Sequence, residues 1–233
     1  MRIYWLEERK KYFYPCFFPK KILYLAVMIF LAKRKAAIVL LTMLCVMACD
    51  DEPAKKSADI FIDSRDGKNY KTVKIGSQTW MAENLNYVAS DSKCYDNDES
   101  NCQKYGRLYN WDAAMKACPS GWHLPTQAEW EEMAAYIGGE VAGGKKLKTT
   151  SGWNDYQGKS GNGTDEFGFS ALPGGLGDPS GNFLNAEYYS YWWSASEYDS
   201  GNAYNRNMNG SGARLYWHNR KKPFLFSVRC LQD

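Results

Sequence analysis

Histidine is nearly missing from this chain. Only His123 and His218 occur in 233 residues, which leaves a hydrolase built on an imidazole base little to draw on. His123 lies in a turn beside Pro125 and reads as a hydrogen-bonded turn residue with no nucleophile partner. His218 ends a strand-like segment and reads as solvent-facing. None of the seven cysteines shows the paired short spacing of a zinc site, and no internal repeat is present. A membrane span is missing too: the apolar run from Ala36 to Ala48 falls short of the ~20 residues needed to cross the hydrocarbon. Basic charge is scarce where a partner would meet it. Residues 1–48 carry nine of the 29 basic and two of the 26 acidic side chains, leaving 20 against 24 on the remainder, a net charge of −4. Such a surface excludes nucleic acid as a partner.

What the N-terminal part does contain is an export signal. Lys33-Arg34-Lys35 precedes the apolar run, and small residues lead to Cys49. Val46-Met47-Ala48-Cys49 resembles a bacterial lipoprotein signal, with Met47 as its departure from the usual pattern. Residues 28–48 are therefore expected to be a signal peptide starting at Met28, with 1–27 a misassigned start or an extension. Lipid on Cys49 would insert in the membrane, and more than one acyl chain makes such an anchor stable. Residues 49–58, charged and carrying Pro53, would be a tether. The expected location is the outer membrane or the cell surface.

Cysteine usage fits an oxidising compartment. With Cys16 and Cys45 in the leader and Cys49 lipidated, Cys94, Cys102, Cys118 and Cys230 form an even set with three connectivities. The expected pairing is Cys94 with Cys102, closing an acidic loop, and Cys118 with Cys230, tying a helix end to the last strand.

Residues 59–233 suit one domain. Asp59 to Asp63, Ser64 to Gly67 and Lys68 to Ile75 read as strand, turn and strand, with a third strand at Gln78 to Ala82. Two helices are expected around Cys118. The first places Trp111, Ala114 and Met115 on one face. The second starts at Thr126, where Thr126 and Glu129 form a capping box, repeats Trp130, Met133, Ala134 and Ile137 at helical spacing, and stops at Gly138. The stretch from Gly138 to Gly181, rich in Gly, Asn, Asp and Ser, is expected to be a long ordered loop. Strands return at Tyr189 to Trp193, Tyr204 to Met208, Arg214 to Trp217 and Phe224 to Val228. Strands, helices, loops and strands in that order give an α+β class.

Several blocks carry a family resemblance. Ile75-Gly-Ser-Gln-Thr-Trp-Met-Ala-Glu-Asn-Leu-Asn-Tyr87, Tyr105-Gly-Arg-Leu-Tyr-Asn-Trp111, Cys118-Pro-Ser-Gly-Trp-His-Leu-Pro-Thr126, Asp165-Glu-Phe-Gly-Phe-Ser-Ala-Leu-Pro-Gly-Gly175, Tyr191-Trp-Trp-Ser-Ala-Ser196 and Ser227-Val-Arg-Cys230 resemble the Fibrobacter succinogenes major paralogous domain. That resemblance implies a single C-type-lectin-like domain, with two helices, a short-stranded antiparallel sheet and long ordered loops, in a superfamily shared with formylglycine-generating enzymes. It assigns no biochemical role.

Two kinds of site are open on this frame. Asp155, Asn162, Asp165 and Glu166 cluster in the long loop and offer hard oxygen ligands for a structural calcium, although Asn and Asp also dominate ordinary turns. No other cofactor is indicated. Trp192 and Trp193 are consecutive and face opposite sides of a strand; with Tyr204 and Trp217 they would either stack on a ligand or fill a core. The function expected is a lipid-anchored envelope binding or adhesion module for polysaccharide or an envelope protein, without catalytic residues. The alternatives are an enzyme of the formylglycine-generating or carbohydrate-active type and a structural envelope lipoprotein. A thiol enzyme would need Cys118 or Cys230 free.

Overall fold

Asp63 shows how the expected hairpin forms. Its buried carboxylate accepts from the Nε and Nη2 atoms of Arg65 and from the Arg65 amide, while its carbonyl accepts from the Gly67 amide. Gly67, at φ +72°, supplies the left-handed residue of that turn. Strands β1 (Asp59–Ile62) and β2 (Asn69–Ile75) pair antiparallel on either side, and β3 (Gln78–Met81) follows after Gly76. The computed structural model describes residues 59–233. The expected leader, signal peptide, Cys49 anchor and tether lie outside the described residues.

The chain continues through β4 (Ser92–Lys93), α1 (Glu99–Tyr105), β5 (Leu108–Tyr109), α2 (Trp111–Ala117), β6 (Trp122–His123), α3 (Gln127–Tyr136) and α4 (Glu140–Leu147). Then come β7 (Gly174–Gly177), β8 (Phe183–Ala186), β9 (Tyr189–Asp199), β10 (Asn202–Asn209), β11 (Tyr216–Lys221), β12 (Phe226–Ser227) and β13 (Leu231–Gln232). The α+β class holds, with four α-helices among the described residues where two are expected. In place of one antiparallel sheet there are two. The first has the order β1-β2-β3-β13-β6 and the second β11-β10-β9-β12-β5-β4, with β7 also joining β9 and pairing β8. The second sheet is mixed, because β12 and β7 each run parallel to β9. Among the described residues no helix is long and apolar enough to cross a membrane.

Helix α3 starts as its sequence requires. Thr126 Oγ1 accepts from the Glu129 amide, and the Glu129 carboxylate accepts from the Thr126 amide, satisfying donors the first turn leaves orphaned. Trp130, Met133, Ala134 and Ile137 are all buried. In α2 the buried face is Trp111, Ala114 and Ala117; Met115, expected beside them, is exposed.

Strand β13 places the C-terminal end of the chain inside the first sheet, with Leu231 opposite both Trp80 of β3 and His123 of β6. Strand β9 divides the interior. On one side Trp192 meets Trp130 and Phe169, which in turn contact Trp80. On the other, Trp193 packs on Phe226 with ring centres 4.4 Å apart, next to Tyr191.

Candidate binding surface

Trp192 and Trp193 do point to opposite faces of β9, but both faces are covered and neither ring is exposed. Their indole nitrogens are used internally: Trp192 Nε1 donates to Asn84 Oδ1 at 2.8 Å and Trp193 Nε1 to the Tyr109 carbonyl at 2.8 Å. As ligand-stacking residues they are ruled out by packing, because β9 is a central strand with a hydrophobic cluster on each side.

Tyr204 and Trp217 lie differently. Trp217 belongs to β11, the edge strand, and stands directly opposite Arg206 of β10. Tyr204, two residues before Arg206, shares that face. The Tyr204 ring sits 5.9 Å from Trp217 and 5.4 Å from Tyr198, which it meets edge-on. Trp217 is 47 % exposed and Tyr198 52 %. Three contiguous aromatic rings thus stand at a sheet edge on strands whose register is fixed by six residue pairs between β10 and β11. Arg206 beneath them is fully buried and donates through Nη1 to Glu140 Oε1 at 2.6 Å, linking the surface to α4. Tyr198 joins this surface because the turn between β9 and β10 brings it to Tyr204.

The calcium ligands proposed from sequence are not gathered. Asp155, Asp165 and Glu166 form no common cluster, and two of the four candidates are already engaged. Asp165 accepts from the Ser170 amide and hydroxyl, and Asn162 Oδ1 from the Trp153 amide. Glu166 faces Lys146 at 3.9 Å. The long loop is organised instead by a side-chain cation. Lys148 Nζ, buried, donates to the carbonyls of Gly161, Asn209 and Gly212 at 2.6, 3.0 and 3.0 Å and lies 5.0 Å from the Trp153 ring centre. Burial, with Lys145 nearby, brings its pKa down from 10.5 to about 8, so the ammonium persists at neutral pH.

A second buried cation ties the sheets to the loop. Arg229 donates through Nε and Nη2 to Asn84 Oδ1 at 3.0 and 2.8 Å, and through Nη1 to the carbonyls of Met81 and Phe169. It lies over the Phe169 ring at 4.3 Å. Asn84 accepts from Trp192 as well and donates to the Tyr105 carbonyl and Ser227 Oγ. Burial lowers the Arg229 pKa to about 9. No carboxylate pairs with this guanidinium among the described residues.

His123 is held by two carboxylates. Its Nδ1 lies 2.6 Å from Asp233 Oδ1 and its Nε2 3.0 Å from Glu129 Oε1. Burial acts to lower its pKa, but the bonds to Asp233 and Glu129 outweigh this and leave it above the usual 6.5. His218 is exposed and its pKa is lowered by partial burial and by Arg220. His123 is hydrogen-bonded and His218 faces solvent as expected, but His123 belongs to strand β6 and not to a turn, and His218 lies within β11 and not at its end.

Two disulfides join Cys94 to Cys102 and Cys118 to Cys230. Glu99 lies near the first pair, but oxidised sulphurs offer no thiolate to a metal. The result is an α+β domain clasped by two disulfides, with an aromatic surface at one sheet edge and every cysteine of residues 59–233 oxidised. Residues 73–232 match the Fibrobacter succinogenes major domain, and the chain belongs to that family. No curated protein and no solved structure matches it.

Proposed function

We propose that the domain is a binding module of the cell envelope, displayed on lipid at Cys49, that seats a polysaccharide on Tyr198, Tyr204 and Trp217. The observation that carries this reading is the contiguous ring trio in which exposed Tyr198 and Trp217 flank half-buried Tyr204 across β9, β10 and edge strand β11. Large apolar rings left in water beside one another are costly and mark contact surfaces. Flat rings suit the apolar faces of pyranose units, while exposed Glu131, 3.8 Å from Arg206 Nη2, offers a carboxylate acceptor for hydroxyls. A C-type-lectin-like arrangement agrees with terminal strands that share one sheet and with long loops held by internal cations.

Thiol chemistry of the formylglycine-generating type lacks support, because Cys118 and Cys230 are bonded to each other. Lipid attachment is supported by the Ala48-Cys49 pattern and is read directly by mass spectrometry of the mature N terminus; an unmodified chain beginning before Cys49 would contradict it. Binding is tested on a polysaccharide array. Trp217→Ala is expected to reduce retention at least about tenfold, ~1.4 kcal/mol, with the fold intact. Equal retention of wild type and variant would contradict the assigned surface.

A further inference from the structure

A cleft of about 330 Å³, sharing no lining residue with the aromatic surface, opens between β2, the turn after β3, the end of α1 and the loop at Ser170. This is within the size range of small-molecule sites. Its charge is unlike that of the domain around it. Lys68, Lys71, Lys104 and Arg229 line it, against Glu83 as the one acid, whereas residues 49–233 as a whole are net negative.

The cations differ in how far they are already neutralised. Lys68 pairs with Asp66 at 3.1 Å, and Lys71 lies 3.9 Å from Glu83 in an exposed pair, which attracts weakly in water. Lys104 has no carboxylate partner among the described residues; its ammonium stands 4.6 Å from the Tyr105 ring centre. Arg229, at the floor, is buried and hydrogen-bonded to neutral oxygens alone; Glu83 and Asp165 act on it only from a distance, and a buried cation with no direct ion pair favours an anion nearby. Two of the helix-end carbonyls that would repel an anion are engaged. Cys102 O accepts from the Gly106 amide and Tyr105 O from Asn84.

The rest of the lining recognises hydroxyls. Asn69, Asn86 and Gln103 bring amides to the walls, and Thr149 and Ser170 hydroxyl oxygens whose protons are already donated; the Asn86 side-chain oxygen is buried without a partner. Gly106, at φ +76°, keeps one wall close, since a Cβ there would meet Asn84 at 2.8 Å. We infer that this cleft binds a sugar acid of the uronate class, its carboxylate facing Lys71, Lys104 and the Arg229 floor and its hydroxyls facing the amide-lined walls.

Isothermal titration of the full chain with glucuronate, glucose and inorganic phosphate tests this. Glucuronate is expected to bind at least tenfold more tightly than either control, with affinity falling as salt rises. Lys71→Glu with Lys104→Glu changes two exposed side chains, is expected to keep the wild-type circular dichroism, and should weaken glucuronate at least tenfold. Lys71→Gln with Lys104→Gln should give a smaller loss. Trp217→Ala should leave glucuronate binding unchanged, so the cleft and the aromatic surface fail or succeed separately. The assignment is overturned by absence of glucuronate binding, by equal affinity for glucose, by phosphate binding as tightly as glucuronate, or by indifference to the double charge reversal.

Discussion

Asn84 concentrates more of the interior than its place in a turn would suggest. One side-chain oxygen receives Arg229 and Trp192, and the amide nitrogen reaches Tyr105 and Ser227. Asn84→Ala would strand a buried guanidinium and an indole donor, and is expected to cost ~3 kcal/mol or more in chemical denaturation. Asn84→Asp should be milder, since it keeps the acceptor and adds a counter-charge while losing the two donated bonds. A cost for Asp equal to that for Ala would contradict this division of roles. His123 gives a second residue-scale test. Its folded pKa lies above the ordinary 6.5, so its contribution is full below that value and is lost as pH rises through the raised one. Stability should fall over that window at the high end, and His123→Gln should flatten the fall. The roles of Asn84 and Lys148 were not legible in sequence. Asn84 meets partners 108 and 145 residues away, and Lys148 meets three backbone carbonyls in separate loops, contacts that local pattern does not encode.

Among the elements, those with complete local signals were read correctly and those held by tertiary contacts were not. Helix α3 carries its own capping box, apolar stripe and terminal Gly138, and forms where expected. Helix α4 contains Gly143 and Gly144, poor helix formers, within a stretch rich in turn residues. It is fixed from outside: the Leu215 amide donates to Glu140 O and the Lys145 amide to Ala213 O. Gly144 is needed because a Cβ there would come 2.5 Å from the Arg214 carbonyl oxygen. Gly144→Ala should therefore lower the melting temperature by several degrees, a net loss of ~1 kcal/mol or more despite the gain of ~1 kcal/mol in helix propensity. A rise in melting temperature would contradict the close approach. Strand β9 shows a different limit. Alternation identifies the two faces of a strand but not whether each is covered, which depends on its place in the sheet; β9 is central, so Trp192 and Trp193 are both core, while Trp217 on edge strand β11 stays exposed.

At the scale of the molecule, two disulfides and two internal cations hold long loops to a small sheet framework. Cys118 and Cys230 are 112 residues apart and Cys94 and Cys102 eight apart. In the chain-entropy model the long bridge contributes ~5 kcal/mol and the short one ~2.5 kcal/mol. Replacing Cys118 and Cys230 together by Ser should thus destabilise the fold about twice as much as replacing Cys94 and Cys102, read by chemical denaturation; the reverse order would contradict it. The pairing and the α+β class were legible because an even cysteine count in residues 59–233 and segment order can be read from the chain. The surface at Tyr198, Tyr204 and Trp217 was legible only in part, as turn geometry assembles it. Affinity electrophoresis of the full chain through polysaccharide gels, wild type beside Trp217→Ala, tests the central claim most directly. Retardation of the wild type by at least one polysaccharide, lost in the variant at unchanged circular dichroism, is the predicted result. Identical mobility of the two proteins in every gel would contradict it.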